Sequence, residues 1–265
     1  MEIHSRLKKF ISRFEYATFD LREIEVDSGR FLSVDRADAE ALGIFVRQGD
    51  VMPKIMITDA SKRVGIVNIQ AKFENNVIFF DNAESNGQFF AHINIHGENT
   101  CCIFNEAGKN YFSIGILNLR SHRQNVFVGK DASAVGLSIE MEGEDSVCVI
   151  GEDALISSGV WLRNHDMHSL IDLSSGQIIN PPPGDILIER HVWLGQDVLA
   201  VGGQHIGFGS IIGARSFLKR EIPPKSVAVG SPAKVVKSNV SWGRQSNSVS
   251  AAELDVISAL SSQYM

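Results

Sequence analysis

"IERHVWLGQDVLAVGGQHIGFGSIIGARSFLKREIP", residues 188 to 223, divides into six hexads without remainder. The hexads begin at Ile188, Leu194, Ala200, Ile206, Ile212 and Leu218, all apolar. In a chain that is 44% hydrophobic, one chosen phase does this by chance about 1% of the time. The fifth residues are Val192, Val198, Gln204, Ser210, Ser216 and Ile222, mostly small or β-branched, and Gly stands second in three of the six. A period of six keeps no face of an α-helix but suits short strands separated by turns. Gly and Asp near the turns supply permissive backbone. This period predicts a parallel β-helix, each coil burying its aliphatic ladder against its neighbours.

Working upstream, "IGEDALISSGVWLRNHDM" keeps the phase, with Ile150, Ile156 and Leu162 first and Ala154, Val160 and Asp166 fifth. "VGKDASA" from Val128 reads as another copy. His168 falls where the next aliphatic is due, and the hexads resume only at Ile188. The chain between them leaves as an inserted loop, and such loops tend to carry function. "NNVIFFDN", "HINIHGENTCCIF", "FSIGILNLRS" and "QNVFVGKD" are β-rich but less regular. They read as earlier, imperfect coils of the same solenoid; a separate β-domain is the alternative.

Residues 1–70 differ and are expected to form a small N-terminal α/β cap. "SRLKKFISRFEYATF" sets Leu7, Phe10, Ile11 and Phe14 at helical spacing. That helix either caps the solenoid or, through Lys8, Lys9 and Arg13, lies on a membrane surface. "DRADAEALGIF" has an Asp start and helix formers. The solenoid is placed at 71–242 with the inserted loop at 163–185, and a tail at 243–265. In that tail "AAELDVISALSS" reads as a short helix capped by Ser248 or Ser250.

The 265 residues carry a net charge of −6, which gives a nucleic-acid partner no global support. Cys101, Cys102 and Cys148 show neither a disulfide framework nor CxxC zinc spacing. They fit reduced thiols in a cytoplasmic protein. No signal peptide and no apolar run long enough to span a membrane is read.

The hexads, "HVWLG" (191–195) and "IGARSFLKREIPPKSVAVGSPAKVVK" (212–237) resemble the hexapeptide-repeat acyltransferases. The likeness spans about residues 126–242 and is most specific over Ile206–Lys237. It implies a left-handed parallel β-helix, a homotrimer with sites between subunits, and acetyl-CoA as acetyl donor without a metal. "NHDMHSLIDLSSGQIINPPPGDILIERHVWLG" is similar to the O-acetyltransferases that modify capsule, lipopolysaccharide or sialic-acid sugars. The matching positions are Asp166, His168, Asp172, Ser175–Gly176 and Asn180–Pro181.

Acetyl transfer to a sugar hydroxyl needs a base, and a neutral imidazole suits that task. Both the ladder position and the resemblance select His168. His165 either lines the same pocket or is plain loop. Asp166 and Asp172 either hold the imidazole or form turns. Asn180, ahead of three prolines, is expected to wall the acceptor site. Trp193 precedes a ladder position and points outward; the family uses the matching tryptophan at its active site. Trp161 has the same place in its hexad and is read as subunit packing. Lys219, Arg220, Lys234 and Lys237 gather in the last coil and the segment after it. The resemblance implies that Lys219 and Lys234, with Arg220 and Pro232 beside them, approach the donor's phosphates. It also implies that Gly213 and Ala214 line the pantetheine groove. N-acetylation of an amino sugar is an alternative. A metal-dependent hydratase of carbonic-anhydrase type, drawing on His165, His168, His191 and His205, is another.

Overall fold

The structure is a computed structural model that describes residues 31–180 and 182–262. The helix expected around Leu7–Phe14 lies outside the described residues. The chain winds as a left-handed parallel β-helix. From Val147 onward the coils have three faces. The first carries Leu155–Ile156, Trp193–Leu194, Ile211–Ile212 and Ser226–Gly230. The second carries Val160–Arg163, Leu199–Val201 and Phe217–Leu218. The third carries Val147–Ile150, Ile186–Ile188 and Gln204–Ile206.

The hexads set this geometry. Ile188 pairs with Ile206, Leu194 with Ile212 and Ala200 with Leu218, so each coil is made of three whole hexads, one per face. All six first residues are buried, as are Val192 and Val198. The buried hydroxyls of Ser210 and Ser216 are satisfied: the first donates to Pro223 O (2.8 Å), the second accepts from Gly230 N (3.1 Å). Asp131, Asp153 and Asp197 occupy corners at φ of 56°, 53° and 56°. Asp tolerates this left-handed backbone better than most residues.

The irregular stretch upstream is the same solenoid with longer coils. Ile44 pairs with Val67, Val67 with Ala91, Ala91 with Ile114 and Ile114 with Leu137, each step longer than three hexads. Here one long strand, such as Ser133–Met141, does the work of two short ones: it pairs with both Leu155–Ile156 and Val160–Arg163. Gly159, at φ 73°, makes the corner between the two short strands. The wider upstream interior is filled by Phe80, Phe89, Phe104 and Phe112, whose rings lie 4.9–5.8 Å apart. The ladders run through residue 70 without a break, since Ile44–Val46, Lys54–Ile57 and Gly65–Ala71 are already coil strands. Of the expected cap there remain, among the described residues, Leu32–Val34 and the helix Arg36–Ala41. Leu32–Val34 pairs antiparallel with Lys54–Ile57, and Asp35 caps the helix by accepting from Asp38 N (2.9 Å).

At the far end Ala233–Ser238 folds back antiparallel on Ser226–Gly230 and closes the sheet edge. The tail helix Ala251–Ser262 begins with a capping box: Ser250 Oγ accepts from Glu253 N (3.1 Å), and Glu253 Oε2 accepts from Ser250 N (2.9 Å). No helix among the described residues is long and apolar enough to cross a membrane.

Candidate active site

Between Leu162 and its ladder partner Ala200 the chain runs far longer than the three hexads that separate Ala200 from Leu218. The extra chain leaves at the corner between the second and third faces. Asn164, fully buried, clamps its base. The Asn164 Nδ2 donates to Glu142 O (2.8 Å) and Gly184 O (2.9 Å), while Oδ1 accepts from Glu142 N (2.8 Å). Nothing in the hexad pattern marks Asn164, because its three bonds run to other parts of the chain.

Beyond this clamp the insertion is a short β-arm rather than a coil. Ile171 bridges Ile178 antiparallel, and Ile179 N donates to Leu170 O (2.8 Å). Asp172 makes the tip turn, where its Oδ1 accepts from the backbone and hydroxyl groups of Ser174 and Ser175 at 2.5–2.9 Å. The Ser174 hydroxyl, with the Ser175 groups, holds the Asp172 carboxyl at a pKa of about 2. Of the two readings of Asp172, the structure therefore selects the turn-former; its carboxylate serves Ser174 and Ser175, not His168.

Asn180 ties the neck of the arm. Its Oδ1 accepts from Leu170 N (3.1 Å), and its Nδ2 donates to His168 O (3.1 Å) and lies 3.3 Å from His165 Nε2. His165 Nδ1 accepts from Met167 N (3.2 Å). Met167 is left-handed at φ 65°, and after that reversal His168 is exposed. Neither the His168 imidazole nor the Asp166 carboxylate has a hydrogen-bond partner among the described residues.

Trp193 projects from the first face, 37% exposed, in an outward row with Leu155, Ile211 and Val227. The arm leaves between the second and third faces while Trp193 stands on the first, and no hydrogen bond or ring contact among the described residues links His168 to Trp193. Trp161, on the second face, is half-buried under the Arg163 guanidinium, 4.6 Å from its ring centre.

The residues assigned to the donor are better gathered. A Cβ on Gly213 would stand 2.6 Å from Val229 Cγ1, so only glycine leaves the notch there open. Val229 faces Lys234 across the closing hairpin, and Ala214 is exposed next to Gly213. Pro232 follows a cis peptide bond in the hairpin turn. Lys219, Arg220 and Lys234 are exposed, with no ion-pair partner among the described residues. Lys219 Nζ sits 5.5 Å over the Phe217 ring.

Two histidines weighed as metal ligands are engaged elsewhere. His205 Nε2 lies 2.6 Å from Glu189 Oε1. His191, buried, has Nδ1 2.6 Å from Asp153 Oδ2 and Nε2 3.0 Å from Trp242 O, which leaves neither ring nitrogen for a metal. Burial pushes the Asp153 carboxyl up, but hydrogen bonds from His191 and Arg244 outweigh it, and the group sits below the usual carboxylate range. Sequence reading missed this cluster.

No family model matches the chain. It is 31% identical over 148 residues to the putative lipopolysaccharide biosynthesis O-acetyl transferase WbbJ of Escherichia coli K12, covering 52% of this chain and 75% of that one. The chain belongs to the hexapeptide-repeat acetyltransferases. Another member, the polysialic acid O-acetyltransferase of Escherichia coli O1:K1, is 34% identical over 119 residues, 45% of this chain. The match spans only 38% of that relative's length. The crystal structure of the polySia-specific acetyltransferase NeuO superposes with a TM-score of 0.67 at 22% identity, over 84% of this chain and 92% of that one, so the acetyltransferase fold is shared.

Proposed function

We propose that the protein is an acetyl-CoA-dependent O-acetyltransferase acting on a sugar hydroxyl of a bacterial surface glycan or its precursor. The observation that carries this reading is His168: an exposed imidazole, on an arm that replaces a core ladder position, in an acetyltransferase scaffold. The donor supplies an activated thioester. Gly213 and Ala214 hold its pantetheine through the notch against Val229, and Lys219, Arg220 and Lys234 hold its phosphates. His168 accepts the acceptor hydroxyl proton at an imidazole nitrogen as that oxygen bonds to the acetyl carbon, and returns a proton to the departing sulfur. Transfer is direct, with no acyl-enzyme. Asp166 is the carboxylate left to orient His168, and Asn180 fixes the backbone on which His168 stands. In a homotrimer the arm of one protomer sets His168 opposite Trp193 of its neighbour. Cytoplasmic placement accords with reduced cysteines, all three of which are free and buried.

The test is acetyl-CoA consumption with a panel of surface glycans and their fragments. His168→Ala should lower turnover by about 10²–10⁴ and barely shift the melting temperature, since the ring is exposed. His165→Ala should do less. A His168→Ala enzyme that keeps its turnover removes this histidine as the base.

A further inference from the structure

Beyond the closing hairpin the chain turns and runs back along one edge of the prism, where coil corners stack. These corners are Lys225, Gly209, His191, Asp153 and Asp131, all left-handed. The tail meets them in order. Val240 N donates to Lys225 O (3.0 Å), and Ser241 Oγ to Gly209 O (3.1 Å). Trp242 lies on His191. Arg244 reaches the Asp153 carboxylate, Asp131 O (3.3 Å) and Ser133 Oγ (3.4 Å).

The grip is tightest at His191. The Trp242 indole stacks on the imidazole at 4.3 Å and 4°. Its Nε1–H donates to His191 O (2.8 Å), and its own carbonyl lies 3.0 Å from His191 Nε2. Each ring nitrogen thus faces an oxygen, the Asp153 carboxylate on one side and the Trp242 carbonyl on the other. Arg244 closes the set, its guanidinium 5.7 Å from the Trp242 ring centre. Trp242 is 6% exposed.

The last strand of the first face is already covered by Ala233–Ser238, so closing that sheet edge does not account for this tail. What it reaches is the corner just before Trp193. The Trp242 and Trp193 rings lie 6.2 Å apart at 55°. Trp193 belongs to a two-residue strand and is 37% exposed, so one flank of its indole rests on the tail. A side chain at a reaction site needs a supporting shell to fix its rotamer.

We propose that residues 240–244 are a strap belonging to the acyl-transfer site, with Trp242 the positioning residue for Trp193 and the Asp153–His191 pair its anchor. The proposal rests on the reading that Trp193 works at that site. The strap stops the Trp193 indole from swinging toward the open edge, and the donor groove at Gly213 and Lys234 is built without it. Trp242→Ala should therefore cut kcat by about ten- to a hundredfold, the scale of an ångström-sized misplacement, with the KM for acetyl-CoA unchanged. Trp242→Phe, which keeps a ring on His191, should restore most of the rate. Arg244→Ala should loosen the strap with a smaller loss and guards against a Trp242 variant that does not fold. The companion readout is the Trp193 indole N–H resonance, which should move and broaden in Trp242→Ala and Arg244→Ala and return with Trp242→Phe. An unmoved Trp193 resonance in folded variants overturns the proposal, whatever their melting temperatures. A wild type that transfers no acetyl group defeats the enzymatic reading instead, while the resonance still reports whether the strap orders Trp193.

Discussion

Lys219 and Lys234 are exposed and carry little packing, so reversing both charges should leave the fold intact. Each lost charge-assisted phosphate contact costs about 1.5–3 kcal/mol, roughly ten- to a hundredfold in affinity. Calorimetry with acetyl-CoA should show that weakening; an unchanged Kd moves the phosphate site elsewhere. At this scale legibility followed the ladder. His168 announces itself because an aliphatic residue was due there, and Trp193 because it precedes one. Asp172 did not, since a carboxylate beside two serines in a turn has the same spelling as one that orients an imidazole. The Asp153–His191–Trp242 cluster was invisible: its members are far apart in the chain and meet only through coil stacking.

Each ladder side chain is packed between the coils above and below, so the short strands depend on it more than on their few hydrogen bonds. Leu194→Ala, at a fully buried position in a two-residue strand, should cost about 2–5 kcal/mol. Ser250→Ala, which removes only one half of a capping box, should cost about 0.5–2 kcal/mol. Urea unfolding of both variants checks the order; equal effects would mean the ladder is not the main source of stability. The coils from Ile188 onward were readable because each is three whole hexads. The longer coils from Asn75 on were legible only as imperfect coils of the same solenoid, because the phase slips at every turn and phenylalanines replace the small aliphatic repeat. For that reason coil strands as early as Ile44–Val46 lay unrecognised among residues 1–70.

The arm exposes Leu170, Ile171, Leu173, Ile178 and Ile179, with Leu173 at 97%. So much apolar side chain at one tip calls for a partner surface. Light scattering should give a mass of three 29.1 kDa chains. Replacing Leu173 and Ile178 with serine should weaken the assembly and the turnover together. A fully active monomer would end the idea of a shared site.

Solenoids hold together by nearest-neighbour contacts, and their terminal coils can fray one at a time. The tail that touches five successive corners, from Lys225 back to Asp131, changes that accounting. The last coil cannot peel away while Trp242 and Arg244 remain seated several coils inward. Opening at this end becomes an all-or-none event spanning those coils.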